Sequence, residues 1–339
     1  MRFMAPISNR GILSITGNDA KKFLQGLITN DINQVSETNA IYTAFLTPQG
    51  KFLYDFFITE RLGVLFLEVE KDRLEDLQKR LKLYKFKADI DVDNVSDLYQ
   101  IWAFWGDNVE DHFNLTLTPG HACTEGHHLF YVDSRWPLTG VRALLYHPQK
   151  GQNDRIDLEM KMVASLPEQL AIVTSGSLPY EKFLNQGFQK VGFEVYDQWR
   201  LQQGLPDGSR DMVVDRAIPL ECGLEDLHAI SWTKGCYMGQ ELTARTKHRG
   251  LVRKRYFPVE FEGPAPDFGT KVMQGEDEVG EVYSSHGSLA LARLKLEAII
   301  NETPLVANQQ SLRIIKPEWM SYDELMKNVS STEGAVGRG

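Results

Sequence analysis

The chain has 339 residues, room for two or three domains, and its 42% hydrophobic and 24% charged content is that of a globular protein, which argues against global disorder or fibrous repeats. A formal net charge of -9 argues against a general nucleic-acid binder, because phosphate binding needs clustered Lys and Arg. No apolar run approaches the ~20 residues that span a bilayer, the opening "MRFMAPISNRGILSITG" lacks the apolar core of a secretory signal, and three scattered cysteines fit a reducing compartment. A cytoplasmic protein is expected.

In chain order, "RGILSITG" and "GVLFLEVE" predict strands. After the first, Asn18 or Asp19 is placed to cap a helix with Phe23, Leu24 and Leu27 on one face; after the second, Asp72 and Glu75 make a capping box ahead of the stripe Leu74, Leu77, Leu81 and Tyr84. Between them "AFLTPQGKFLYDFFIT" predicts a β-hairpin turning at Pro48-Gln49-Gly50. Asp55 stands in that apolar strand, where a carboxylate must be paired or hydrogen-bonded to stay charged; it either contacts a ligand or serves a structural network.

From Asp97 to Tyr146 the runs "LYQIWAFWG", "HHLFYVDSR" and "GVRALLYH" predict a second sheet. The stretch "HACTEGHH" holds metal-binding residue types at no compact spacing and reads as a solvated loop. Helical periodicity returns at "RIDLEMKMVASL" and at "EVYDQWRLQQG", where Val195 and Trp199 share a face and Gly204 caps the end. After Gly250 short alternating runs punctuated by Gly, Pro and Asn predict a small antiparallel barrel, and "MKNVSSTEGAVGRG" reads as a tail. The fold class is α+β. The expected division is a first lobe over 1–95, a second over 96–249, a barrel over 250–316 and a tail over 317–339.

The chemistry concentrates in "WTKGCYMGQELTARTKHRG", residues 232–250. Lys234 and the start of a helix after Gly239 favour a thiolate at Cys236, while Gly235 and Gly239 let the backbone approach a partner. The blander reading is a small buried residue. Between Lys234 and Arg255 seven basic residues face one acid, Glu241, which suits an anion. Trp199, Trp232 and Tyr237 add flat rings for a planar ligand, although large aromatics are core residues first. Three cysteines cannot supply a four-thiolate cluster, so no permanently bound metal is expected. No phosphate-binding glycine loop and no G-x-S-x-G occurs.

"KGCYMGQE", Lys234 to Glu241, resembles the K-G-C-[YF]-x-G-Q-E signature of the YgfZ family, folate-binding proteins of iron-sulfur protein maturation related to the glycine-cleavage T-protein. "GNDAKKFLQGLITNDI", "DSRWPLTGVR", "WRLQQGLPDGSRDMVVDRAIPLE" and "LTARTKHRGLVRKR" are similar to its other segments, the last two to its mitochondrial branch and alphaproteobacterial relatives, so the resemblance covers about residues 7 to 316. It implies a cloverleaf of α+β lobes with a small C-terminal barrel, the second lobe completing a tetrahydrofolate core. It also implies a role in assembly or repair of clusters in [4Fe-4S] enzymes, with Cys236 and Lys234 as the reactive pair. Gly235, Tyr237, Gly239, Gln240 and Glu241 complete the motif, and Asp55, Trp199, Arg200 and Arg245 are the expected folate contacts. Partners would be folate and assembly or client proteins, with neither membrane nor nucleic acid. The relatives' paired aspartates are reduced to Tyr54-Asp55 and their R-T-G-Y-T-G-E stretch has no equivalent near Arg142, which weighs against aminomethyl transfer. That enzyme activity, and an inert scaffold for an acidic partner or nucleic acid, are the competing readings.

Overall fold

Alternating burial builds two sheets; the six-stranded one and all but the hairpin end of the five-stranded one lie in one compact unit, Met1–Gly26, Asn30–Thr43 and Asp55–Phe193. The computed structural model describes residues 1–147, 180–250, 252–301 and 303–321. The expected helix "RIDLEMKMVASL" and the closing "MKNVSSTEGAVGRG" lie outside the described residues. The strands are β1 Arg2–Pro6, β2 Arg10–Thr16, β3 Ile41–Leu46, β4 Phe52–Arg61, β5 Val64–Glu70, β6 Asp91–Asn94, β7 Tyr99–Gly106, β8 Ala122–Glu125, β9 His128–Val132, β10 Val141–Tyr146 and β11 Phe188–Lys190. One sheet runs β11-β1-β7-β10-β9-β8, antiparallel except for β1 beside β11, and the other runs β3-β4-β5-β2-β6. The predicted strands and the hairpin at Pro48-Gln49-Gly50 are present.

Pleating gives the six-stranded sheet two chemistries. Trp102, Phe104, Phe130, Val132 and Val141 face Phe113, Phe183 and Phe188 in an apolar core. The opposite face carries Tyr99, Tyr131 and Arg142 toward the five-stranded sheet, with ring centroids 5.5 Å apart for Phe66 and Tyr99 and 5.7 Å for Phe57 and Tyr131. Among the described residues the helices here are α1 Ala20–Gln25, α2 Leu74–Tyr84 and α3 Tyr180–Asn185. Helix α2 buries Leu74, Leu77 and Leu81 as its stripe predicts, packing on β2 and β6. Its capping box does not form, because the chain enters α2 through a 3-10 turn at Lys71–Arg73. Asp19 makes no side-chain cap either; its carboxylate accepts from the Asp89 amide at 2.9 Å instead.

Between these sheets lies a buried ionic cluster. Arg142 bonds Glu68, Tyr131 donates to Glu68 at 2.6 Å, and Arg135 holds Asp133 at 2.8 Å. Arg10 reaches Asp55 at 3.4 Å and the Glu68 carbonyl oxygen at 3.0 Å. All three guanidiniums surround the Phe57 ring, 4.5 Å away for Arg142, 5.1 Å for Arg135 and 5.9 Å for Arg10. Burial pushes the Glu68 carboxyl up, but Arg142 and Arg10 more than offset it and hold it below its ordinary range; Asp133 is held low in the same way by Arg135.

The second unit comprises Leu27–Thr29, Ala44–Tyr54 and Glu194–Gly339. Its strands β12 Lys254–Phe261, β13 Lys271–Gln274, β14 Asp277–His286, β15 Leu289–Lys295, β16 Leu305–Ala307 and β17 Gln310–Ile314 close into the predicted barrel. Its helices are α4 Phe193–Gln202, α5 Gly208–Asp211, α6 Gln240–His248 and α7 Leu296–Ile300. Helix α4 buries Tyr196, Asp197, Arg200 and Leu201, while Val195 is 41% exposed, so the expected Val195–Trp199 face is not the buried one. The reason is electrostatic: a buried guanidinium must face its carboxylates, here Asp197 at 2.6 Å and Asp211 at 2.8 Å. In the same unit the hairpin turn closes with Gly50 donating to the Thr47 carbonyl oxygen at 2.8 Å, and Gly239 packs directly on it. At Gly239, φ is +84 and a β-carbon would fall 2.5 Å from the Thr47 oxygen; at Gly235, φ is +91 and nothing lies within 4 Å.

Two outcomes follow from this packing. Gly239→Ala is expected to lose at least twice the stability of Gly235→Ala in urea unfolding, since the second incurs only the left-handed strain of ~1–2 kcal/mol while the first adds a backbone clash; equal losses would show that the hairpin contact is unimportant. The depressed Glu68 and Asp133 carboxyls contribute stability that is complete above the unfolded values near about 4 and is lost as pH falls through the lower folded values. Below about pH 5 the unfolding free energy is therefore expected to drop with further acidification, and to drop less steeply in Asp133→Asn.

Candidate functional site

Helix α6 can start at Gln240 because the left-handed Gly239 reverses the chain there, and the Thr243 hydroxyl and amide both return to the Gly239 carbonyl oxygen, at 3.0 and 3.3 Å. The turn before it is fastened to Leu27–Thr29. Ser231 donates to the Thr29 carbonyl oxygen at 3.0 Å, the Thr29 hydroxyl to that of Ala229 at 2.6 Å, and the Lys234 ammonium to that of Ile28 at 2.5 Å. Lys234 also lies 5.2 Å from the Tyr237 ring. Tyr237 is buried; its hydroxyl lies near Thr243 but meets no partner in good geometry, and burial pushes its pKa up to about 12.

Cys236, between an open glycine and a buried tyrosine, is exposed. The other two cysteines are withdrawn: Cys222 is buried and its thiol pushed well up by burial, and Cys123 donates to the Phe113 carbonyl oxygen at 3.3 Å with its thiol also raised by burial. The blander reading of a buried thiol thus fits Cys222 and not Cys236. Glu241 is exposed and 3.9 Å from Arg245 one turn on. Past Arg245, Lys247 bonds Glu225 and lies 4.4 Å from the Trp232 ring, and Trp232 donates to Glu225 at 2.9 Å. A cavity of about 580 Å³ follows, lined by Leu220, Asp226, His248, Arg249, Val252 and Arg255 among others, with Arg255 paired to Asp226. The basic stretch is therefore partly neutralised by Glu225 and Asp226, acids that precede it in sequence and fold back on it.

The structure brings Lys234, Gly235, Cys236, Tyr237, Gly239, Gln240, Glu241 and Arg245 together on one turn and helix. Arg200 lies elsewhere in that unit, buried, with donors on Asp197, Asp211, the Leu205 carbonyl oxygen and Ser284; the half-buried Trp199 precedes it on α4. Asp55 lies in the first unit, buried, accepting from Tyr42 at 3.1 Å and paired with Arg10, both through Oδ2. Sequence reading missed Ile28, Thr29 and the hairpin as supports of the motif turn; the partners stand some 200 residues apart and no local pattern marks them. "HACTEGHH" is not a solvated loop but β8 and the first residue of β9, where His128 accepts from the Tyr146 amide at 3.1 Å and burial lowers its pKa to about 4. Among the described residues no three His, Cys, Asp or Glu side chains converge on a metal position.

A family model described as the CAF17 C-terminal β-barrel domain matches residues 253–322. The iron-sulfur cluster assembly factor IBA57 of Mus musculus, named as mitochondrial, is 30% identical over 336 residues, covering 92% of this chain and 84% of that protein; the Homo sapiens protein is 31% identical over 335 residues with the same coverage. A Neurospora crassa homologue is 33% identical over 273 residues, 78% of this chain. The chain spans little more than half the length of such fungal relatives, 55% and 59% of the first two. The crystal structure of glycine cleavage system aminomethyltransferase T from Bartonella henselae has the same fold, with a TM-score of 0.69 at 13% identity over 95% of this chain and 87% of that one. The expectation of a cytoplasmic protein is overturned by relatives named as mitochondrial, for neither a missing apolar leader nor scarce disulfides separates one reducing compartment from another. With relatives matched over most of both chains, the T-protein fold and the C-terminal barrel in place, the chain belongs to the YgfZ/CAF17 family, alongside the iron-sulfur cluster assembly factor IBA57.

Proposed function

We propose that the protein assists assembly or repair of iron-sulfur clusters in client [4Fe-4S] enzymes, with the Cys236 thiol as the group offered to a partner or to a cluster in transit. One observation carries the residue assignment: of the three cysteines Cys236 alone is exposed, on a turn held from behind by Tyr237, Lys234 and Gly239 and open in front at Gly235. One thiol is an incomplete ligand set, so the remaining ligands come from the partner. Lys234, its ammonium on the Ile28 carbonyl, acts chiefly by fixing the turn.

Tetrahydrofolate is the proposed cofactor. Asp55 suits a pterin edge as a carboxylate already ordered in place, its Oδ2 held by Tyr42 and Arg10. Within the second unit, Arg245, half exposed, and Trp199 are the residues proposed for folate, with Arg200 acting through the helix that carries Trp199.

Cys236→Ser is expected to abolish complementation of a maturation-deficient strain while leaving the thermal midpoint unchanged, because the side chain is exposed; normal growth would sink the assignment. Calorimetry should show tetrahydrofolate binding to the wild type, weakened about ten-fold or more by Asp55→Asn and by Arg245→Ala, as loss of a charged hydrogen bond predicts. Unchanged affinity in both variants would remove these residues from the folate reading and leave the thiol assignment standing.

A further inference from the structure

The end of helix α2 breaks two habits of folded proteins at once. Helix α2 spends Leu74, Leu77 and Leu81 on the core, yet Leu83 is 74% exposed and Phe86 is 88% exposed, the latter the most exposed large apolar residue among the described residues. Phe86 also occupies the position just past the helix C-cap with φ +45, a left-handed conformation normally given to Gly or Asn. A bulky side chain there is strained, and among the described residues the Phe86 ring meets no aromatic or cationic partner that accounts for it.

The surroundings supply a second observation. Residues 79–87, "KRLKLYKFK", hold five basic residues and no acid in a chain of net charge -9. Lys79, Arg80 and Lys85 pair loosely with Glu75, Asp76 and Asp91, whereas Lys82 and Lys87 are exposed and have no ion-pair partner among the described residues. Two protruding apolar side chains ringed by lysines suit an anionic bilayer surface: apolar tips enter the interface while flexible ammonium groups stay with headgroups. A protein partner is less well served, because lysine is depleted at protein interfaces and the two side chains offer a knob with no groove.

We propose that the C-terminal end of α2 is a peripheral membrane contact, seating Phe86 and Leu83 in an anionic lipid surface with Lys82, Lys85 and Lys87 on the headgroups. Among the described residues no helix is long and apolar enough to cross a membrane, but resting on one requires only such a tip. The contact is weak and reversible, as two side chains and a few charges allow.

The test is cosedimentation of the full chain with vesicles of equimolar phosphatidylcholine and phosphatidylglycerol, beside vesicles of phosphatidylcholine alone. Wild type is expected to sediment with the anionic vesicles only, less so as salt is raised. Phe86→Gly is the discriminating variant: it removes the ring and suits the left-handed backbone, so the thermal midpoint should hold while partitioning falls about ten-fold. Lys82→Glu combined with Lys87→Glu should lower partitioning as well. Wild type that remains in solution, or Phe86→Gly that sediments like wild type, overturns the proposal. Binding of an acidic peptide through Phe86 without any binding to vesicles overturns it in favour of a protein partner.

Discussion

At Gly239 two stretches of backbone lie so close that no side chain fits between them, since a β-carbon there would fall 2.5 Å from the Thr47 carbonyl oxygen and 3.0 Å from the Gly50 α-carbon. Much follows from that approach. It fixes the left-handed residue from which α6 begins, turns Tyr237 inward and leaves Cys236 on the outside. The hairpin thus acts as an anvil for the motif, and Lys234 on the Ile28 carbonyl ties down the other end of the turn. A thiol offered to a partner needs a scaffold that does not follow it when the partner leaves, and rigid backbone contacts supply that better than side-chain packing.

The ionic cluster of the first unit meets a different constraint. Three guanidiniums and three carboxylates removed from water are tolerable only if nearly every polar atom finds a partner. Bidentate pairing of Arg135 with Asp133, the Tyr131 and Tyr42 hydroxyls and the Phe57 ring together provide those partners. Such a cluster contributes less to net stability than to specificity, because only one arrangement of the two sheets satisfies it. Asp55 belongs to this network whatever else it binds.

Local pattern made much of the fold legible. Alternation marked the strands, a 3.6-residue stripe marked α2, and Pro48-Gln49-Gly50 marked the hairpin. Asp55 stood out as a carboxylate that needed a partner, but nothing pointed to Arg10, 45 residues away, or to Tyr42. On α4 the buried face went to Asp197 and Arg200 against apolar expectation, because ion pairing with Asp211 outweighed hydrophobicity there. The motif residues were readable as a string, whereas the support beneath them came from segments remote in sequence, and periodicity is blind to such pairing. Charge counting misled in the same way: Glu225 and Asp226 lie outside the counted basic stretch yet neutralise part of it.

The sheets also differ in how they end. The barrel closes on itself and has no free strand edge, while the five-stranded sheet finishes at β6, four residues long with Asp91 and Asp93 pointing outward and Lys85 beside them. A short, charged terminal strand is a poor template for a neighbouring chain to extend, since each added copy would bring like charges into register. At this edge the two exposed aspartates thus oppose backbone extension by a second copy, an effect that owes nothing to core packing.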